Sequence, residues 1–319
     1  MRRLVTALAV VTCGVAAVVT ADTAIAPAPA IIDGGAPPSP LTLAVAAGRH
    51  WRLDTPHGAV HVWTPRGYHA DGAGLIAYVH GYYADVDGAW RDYLLPEQFA
   101  LSGVNAMFIA CEAPAHNKEP VMWSSLSELF RTVQAGIGEP LPSGPVIAMG
   151  HSGAFRTMIP WLDDPRVDWV VMVDAAYARI DPFIDWVNAS PAHHLYFVGD
   201  DTISWTEEMK RRLPETVEVD RFTFDAFPRD ARAGRIVYVR SQFSHMTLVT
   251  GGIALPALIR AMPLETLPDS PWQVQLGDLP RPDAALDGGA PLDATSTVGT
   301  SAACAAATDG GCPAAAPPH

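Results

Sequence analysis

The chain is short of positive charge. Its 319 residues carry 21 Lys and Arg against 34 Asp and Glu, a formal net charge of −13. So acidic a chain is a poor partner for nucleic-acid phosphates and offers no polybasic patch to a membrane surface. It is short of cysteine too, with four. None stands in the paired spacing of a structural zinc module. H-E-x-x-H, G-x-G-x-x-G and phosphate-loop Gly-Lys-Ser/Thr strings are absent, which removes the sequence grounds for a zincin, a dinucleotide site or a P-loop. His193-His194 and His57/His61 lack a third ligand at metal spacing, so neither metal nor cofactor is expected. Past the first twenty or so residues no apolar run is long enough to span a bilayer, and there is no internal repeat.

What is present divides the chain into four parts. Arg2 and Arg3 precede an uncharged apolar run, Leu4 to Val19, and Val19-Thr20-Ala21 offers small residues for cleavage. This predicts a secretory signal over 1–21, and a mature protein that is secreted or held in the cell envelope. The run is too short to favour a permanent span, an uncleaved anchor being the rival reading. Residues 22–40 read as an Ala/Pro-rich linker. Residues 269–319 hold few large apolar side chains and cannot bury enough surface to offset chain entropy, so a disordered tail is expected. Export makes a Cys304–Cys312 disulfide in that tail an expectation, with Cys111 left as a buried thiol behind an apolar strand. One compact domain, 41–268, remains.

Inside it, short apolar runs alternate with helical patterns. Val60 to Trp63, Leu75 to Val79, Val104 to Ala110, Val146 to Met149, Trp169 to Val173, Leu195 to Val198 and Ile236 to Val239 read as strands, most of them buried on both faces. Met122, Leu126, Leu129, Phe130 and Val133 fall on one face at helical spacing. The alternation predicts a three-layer α/β fold around a mostly parallel sheet. In such sheets ligands bind at the carboxyl ends of the strands.

At one of those ends stands Gly150-His151-Ser152-Gly153-Ala154. A serine on a sharp strand-to-helix turn has its hydroxyl pushed out of the fold, and the turn needs small neighbours. This resembles the G-x-S-x-G nucleophile elbow of the α/β-hydrolases, with Ala154 in place of the last glycine. The resemblance covers about residues 58–265. It implies a sheet of about eight strands and acyl transfer through a serine ester. It makes Ser152 the nucleophile, with Gly150 and His151 completing the elbow. His80-Gly81-Tyr82, after the run ending at Val79, corresponds to the loop that supplies an oxyanion donor. The backbone N–H groups of Tyr82 and Gly153 are the implied pair, and His80 is expected to be structural. The family order of serine, acid, histidine points to His245, which follows the last apolar run. For the acid the favoured residue is Asp201, with Asp200 and then Asp174 as alternatives; Asp174 lies one strand early for that order.

Tyr82, Tyr83, Trp90, Trp123 and Trp205 fall near the active end, Tyr82 and Tyr83 being candidates for substrate contact. Asp85, Asp87 and Glu112 also fall there; a solvated acidic surface is the favoured reading, and a negative rim suited to a cationic or amine-bearing substrate the alternative. The expected substrate is a small-molecule or envelope-derived carboxylic ester. A peptidase or amidase with the same triad, and an exported binding protein without turnover, are the alternatives.

Overall fold

The computed structural model describes residues 21–22, 38–222 and 229–268. All lie in the first of two compact units, 1–281; the second, 282–319, falls wholly outside the described residues. So do nearly all of the expected signal, most of the linker, the tail, and Cys304 and Cys312.

Among the described residues ten strands form one sheet: β1 (Ala21–Asp22), β2 (Arg49–Thr55), β3 (Gly58–Thr64), β4 (Gly74–Val79), β5 (Ala106–Cys111), β6 (Val146–His151), β7 (Val167–Val173), β8 (His194–Gly199), β9 (Val217–Val219) and β10 (Ile236–Arg240). Their spatial order is β1-β2-β3-β5-β4-β6-β7-β8-β10-β9. Pairing is antiparallel from β1 through β5 and parallel from β5 to the β9 edge. The sheet is wider than the sequence suggested because β2 and β9 carry polar residues on an open face, and β1 is only two residues long.

Ten helices, counted over the same residues, flank it: α1 (Pro40–Ala47), α2 (Val86–Asp92), α3 (Leu95–Ser102), α4 (Leu126–Ile137), α5 (Phe155–Trp161), α6 (Asp181–Ala189), α7 (Ile203–Arg212), α8 (Arg229–Ala233), α9 (Thr247–Thr250) and α10 (Ala254–Ala261). The β4 side chains alternate between two cores. Leu75, Ala77 and Val79 join the layer of α4 to α7, whereas Ile76 and Tyr78 join the layer of α1 to α3 and α10. Period-two alternation with both faces covered is why these strands read as continuous apolar runs. Cys111, at the end of β5, is buried with a free thiol whose pKa burial pushes up.

α4 shows how sequence fixes an element. Ser125 caps it, accepting the Glu128 N–H at 3.2 Å. Leu126, Leu129, Phe130 and Val133 bury one stripe, and Gly138 ends the helix at φ 70°. Met122 lies before the cap and packs against the same core.

Candidate active site

β6 is buried along its whole length and delivers the chain to Ser152, which adopts φ 55°. A left-handed serine costs about 1–3 kcal/mol and persists only where its surroundings fix it. Here they leave no room for anything larger. A Cβ on Gly150 would run into Met158 Sδ and the Ala154 methyl; one on Gly81 would stand 2.9 Å from Ser152 Cβ; one on Gly153 would stand 2.5 Å from the Tyr82 ring. The alanine at 154 is therefore tolerated because glycine is kept at 150. One 3-10 turn, Ser152–Ala154, leads into α5. Ser152 itself is half-buried.

His245 lies on the turn after β10. Its Nδ1 is 2.6 Å from Oδ2 of Asp174, a fully buried residue at the end of β7. The order of preference among the carboxylates is thus corrected. Asp201 Oδ2 stands 3.9 Å from the same nitrogen, too far for a hydrogen bond, with its side chain 61% exposed. Asp200 gives its backbone N–H to Asp174 Oδ1 at 2.9 Å, and its carboxyl pKa is raised by burial and by the charge of Asp174. The physical reason is the turn before α7, which aims its backbone at Asp174. Oδ1 accepts the N–H groups of Asp200 and Thr202, both at 2.9 Å, and the Thr202 hydroxyl at 2.5 Å; Oδ2 also accepts the Asp201 N–H at 3.1 Å. The adjacent aspartates serve as amide donors to Asp174, one strand earlier.

Burial pushes the Asp174 carboxyl up, but the bonds from His245, Thr202 and the backbone outweigh it and hold the pKa at about 2. For His245, burial favours the neutral ring. The Asp174 hydrogen bond and the charges of Asp174, Asp201 and Asp200 overcome it, and the pKa is raised. Asp174, Asp201 and His245 bring their side-chain oxygen and nitrogen atoms within 4.8 Å of one another. The proton shared by His245 and Asp174 accounts for that closeness.

His151 links the serine turn to His245. Its buried ring lies 4.4 Å from that of His245, and its Nε2–H donates to the His245 carbonyl at 3.1 Å. Burial, then the charge of His245, lowers its pKa to about 3, so it stays neutral. Among the described residues no hydrogen bond joins Ser152 to His245; in unliganded sites that contact commonly closes only on substrate.

The Tyr82 ring covers Gly153, and its hydroxyl donates to Asn117 Oδ1 at 2.7 Å. Tyr83 is 88% exposed at φ 65°, its N–H donating to the Ala115 carbonyl at 2.9 Å. His80 is structural, as expected: buried, with Nδ1 2.7 Å from the Gly81 carbonyl and Nε2 2.9 Å from Glu112 Oε1. The three carboxylates near the active end each have a partner, Asp85 remaining exposed and Asp87 partly so. Glu112 meets His80, Asp85 caps α2, and Asp87 pairs with Arg52. Trp123 is core, its carbonyl accepting the Trp161 indole N–H at 2.7 Å.

Two residues escaped the sequence reading. Arg156, four past Ser152, donates to the carbonyls of His116 (3.2 Å) and Glu119 (2.8 Å) and to the Tyr82 hydroxyl (3.4 Å). It ties the loop after β5 to the elbow helix. A cation one helical turn from a nucleophile was the available signal. Tyr177 sets its ring edge-on to His245, with centroids 6.4 Å apart, and lies 5.7 Å from Trp205. Three residues beyond Asp174, it could be found only once the acid was known.

The strand order, with a left-handed serine after β6 and a histidine after β10, is that of the α/β-hydrolase fold expected from the sequence. No family model and no curated protein matches the chain. Solved structures do. A feruloyl esterase module from Clostridium thermocellum matches with TM-score 0.45 and 15% identity, over 70% of this chain and 92% of that one. A cold-adapted esterase from an Arctic intertidal metagenomic library gives 0.41 and 14%, over 67% and 94%. The S-formylglutathione hydrolase of Staphylococcus aureus gives 0.41 and 13%, also over 67% and 94%. Identities this low say nothing of substrate.

Proposed function

We propose that this protein is an exported serine hydrolase that cleaves a carboxylic ester, with Ser152 as nucleophile, His245 as base and Asp174 as the acid behind it. The observation that carries the reading is the 2.6 Å bond from His245 Nδ1 to a fully buried carboxylate. With His245 held against the neighbour of a strained serine, it leaves Nε2 to take the serine proton. Ser152 Oγ attacks the ester carbon as its proton passes to His245 Nε2. The negative oxygen is met by the N–H groups of Tyr82 and Gly153, each lowering the barrier by about 3 kcal/mol. Among the described residues the Tyr82 N–H has no acceptor of its own. The imidazolium then returns the proton to the leaving alkoxide. Water attacks the acyl-enzyme with His245 as base and frees Ser152 and the acid.

Export rests on Arg2, Arg3 and the apolar run behind them, which points to a small or envelope-derived acyl substrate outside the cytoplasm. No described helix is long and apolar enough to cross a membrane. The deciding experiment is labelling with a fluorophosphonate. Wild type is expected to label and to hydrolyse p-nitrophenyl esters, and Ser152→Ala to do neither while melting at nearly the same temperature. Turnover surviving in Ser152→Ala would move the nucleophile elsewhere. A folded wild type that never labels would favour a binding protein, and faster cleavage of peptide amides than of esters would favour a peptidase.

A further inference from the structure

The imidazole of His245 faces more carboxylates than a base requires. Against it lie Asp174 from the end of β7, Asp200 and Asp201 from the turn before α7, His151 from the end of β6, and Tyr177 from the turn after β7. His151 is neutral, and burial and the charge of Asp174 raise the Asp200 pKa. Asp201 differs from both. Its carboxylate accepts no hydrogen bond among the described residues, yet it stands 3.9 Å from His245 Nδ1. Its place is nevertheless fixed, because its own N–H donates to Asp174 Oδ2, the oxygen that His245 also uses.

We propose that Asp201 is a reserve carboxylate for the general base: it stands off the Nδ1 edge and favours the imidazolium, and it swings in as acceptor when Asp174 cannot take the Nδ1 proton. The proposal rests on the reading of His245 as the base. The gap is about 1 Å beyond a hydrogen bond, within reach of one side-chain rotation. The residue is exposed, so its field on the ring is screened by solvent and salt. Asp201 is accordingly a positioning residue that acts through His245. The raised pKa of His245, to which its charge contributes, agrees with this.

Two measurements test it. The first needs no substrate: an NMR titration of the His245 imidazole in wild type and Asp201→Asn. The midpoint is expected to fall by a few tenths of a pH unit in the variant at about 0.02 M salt, the difference shrinking at about 0.5 M. Equal midpoints at low salt would overturn the electrostatic role. The second is a double-mutant cycle on ester kcat/KM. Asp201→Asn alone is expected to cost less than about fivefold and Asp174→Asn about 10²-fold. The double variant is expected to approach the roughly 10⁴-fold loss of a wrongly oriented base. An equal factor for Asp201→Asn in both backgrounds would overturn the reserve role. If Asp174→Asn does not fold, the titration by itself decides. A wild type without ester turnover would refute the hydrolase reading and leave the titration as the test of this one.

Discussion

The fold holds two histidine–aspartate pairs of nearly the same length, and they behave in opposite ways. His245 meets Asp174 at 2.6 Å, and His61 meets Asp87 at 2.8 Å. The pKa of His245 is raised, whereas burial lowers that of His61 in spite of Asp87. Burial is the largest influence on both rings and favours the neutral form; what answers it differs. Asp174 is surrounded by neutral N–H and O–H donors, and two more aspartates add their charge on the ring. Asp87 is taken by Arg52 through two 2.7 Å bonds. His61 is further hemmed by His50, 2.9 Å away, with the Trp90 ring stacked 4.5 Å from its own. Burial, then His61 and Arg52, lowers His50 to about 4. At His245 the carboxylates overcome burial, whereas at His61 Asp87 and Glu112 do not, with the Arg52 charge acting against them.

The comparison breaks most sharply at the two aspartates. Asp174→Asn is expected to cut ester kcat/KM by about 10²-fold, while Asp87→Asn leaves it within about twofold. Comparable losses from both would erase the distinction. Stability, measured by urea unfolding, should follow the same order, because Asp174 is fully buried among its donors whereas the Asp87 side chain is 44% exposed. Asp87→Asn is expected to cost about 1–2 kcal/mol, because it strips partners from Arg52 and from a buried His61.

Acid sharpens the contrast further. Two of the lowered histidines, His50 and His61, release their proton more readily in the folded chain than in the unfolded chain, which protonates them from about pH 6.5 downward. Their stabilisation is full above that value and is lost as pH falls, for His50 through about 4. His245 has the opposite sign: its stabilisation is present below about pH 6.5 and is lost as pH rises through its raised value. Melting temperatures between pH 7 and 4.5 should therefore fall less steeply in His50→Gln than in wild type, and parallel curves would count against this account. The smallest expected effect is kinetic. The acid limb of kcat/KM should sit above the ordinary histidine value, since the base must be deprotonated, and a limb well below it would contradict the geometry around His245.

Where both faces of an element are covered, its sequence was legible. β4, β6 and β7 are buried almost throughout and read directly as apolar runs. β2 is not, because only Trp51 and Leu53 turn inward while Arg52 reaches out to Asp54 and Asp87. The stretch from Met246 to Met262 divides at Gly251 and Gly252, the latter at φ 69°, into α9 and α10. The left-handed serine turn and the position of His245 after the last strand were legible because small residues and chain order leave few choices. Which carboxylate meets His245 was not. Asp174, Asp200 and Asp201 all sit at strand ends, and what separates them is the direction of three backbone amides, which composition does not encode.

The contact between Tyr82 and Gly153 has a consequence for engineering. The residues whose amides are proposed to cradle the oxyanion are stacked one upon the other, and Arg156 and Asn117 grip the tyrosine from its far end. Neither amide can be shifted without dragging its neighbour, so the cradle should tighten or loosen as one piece. Attempts to retune it from a single side are better aimed at the loop that carries Asn117 and Glu119.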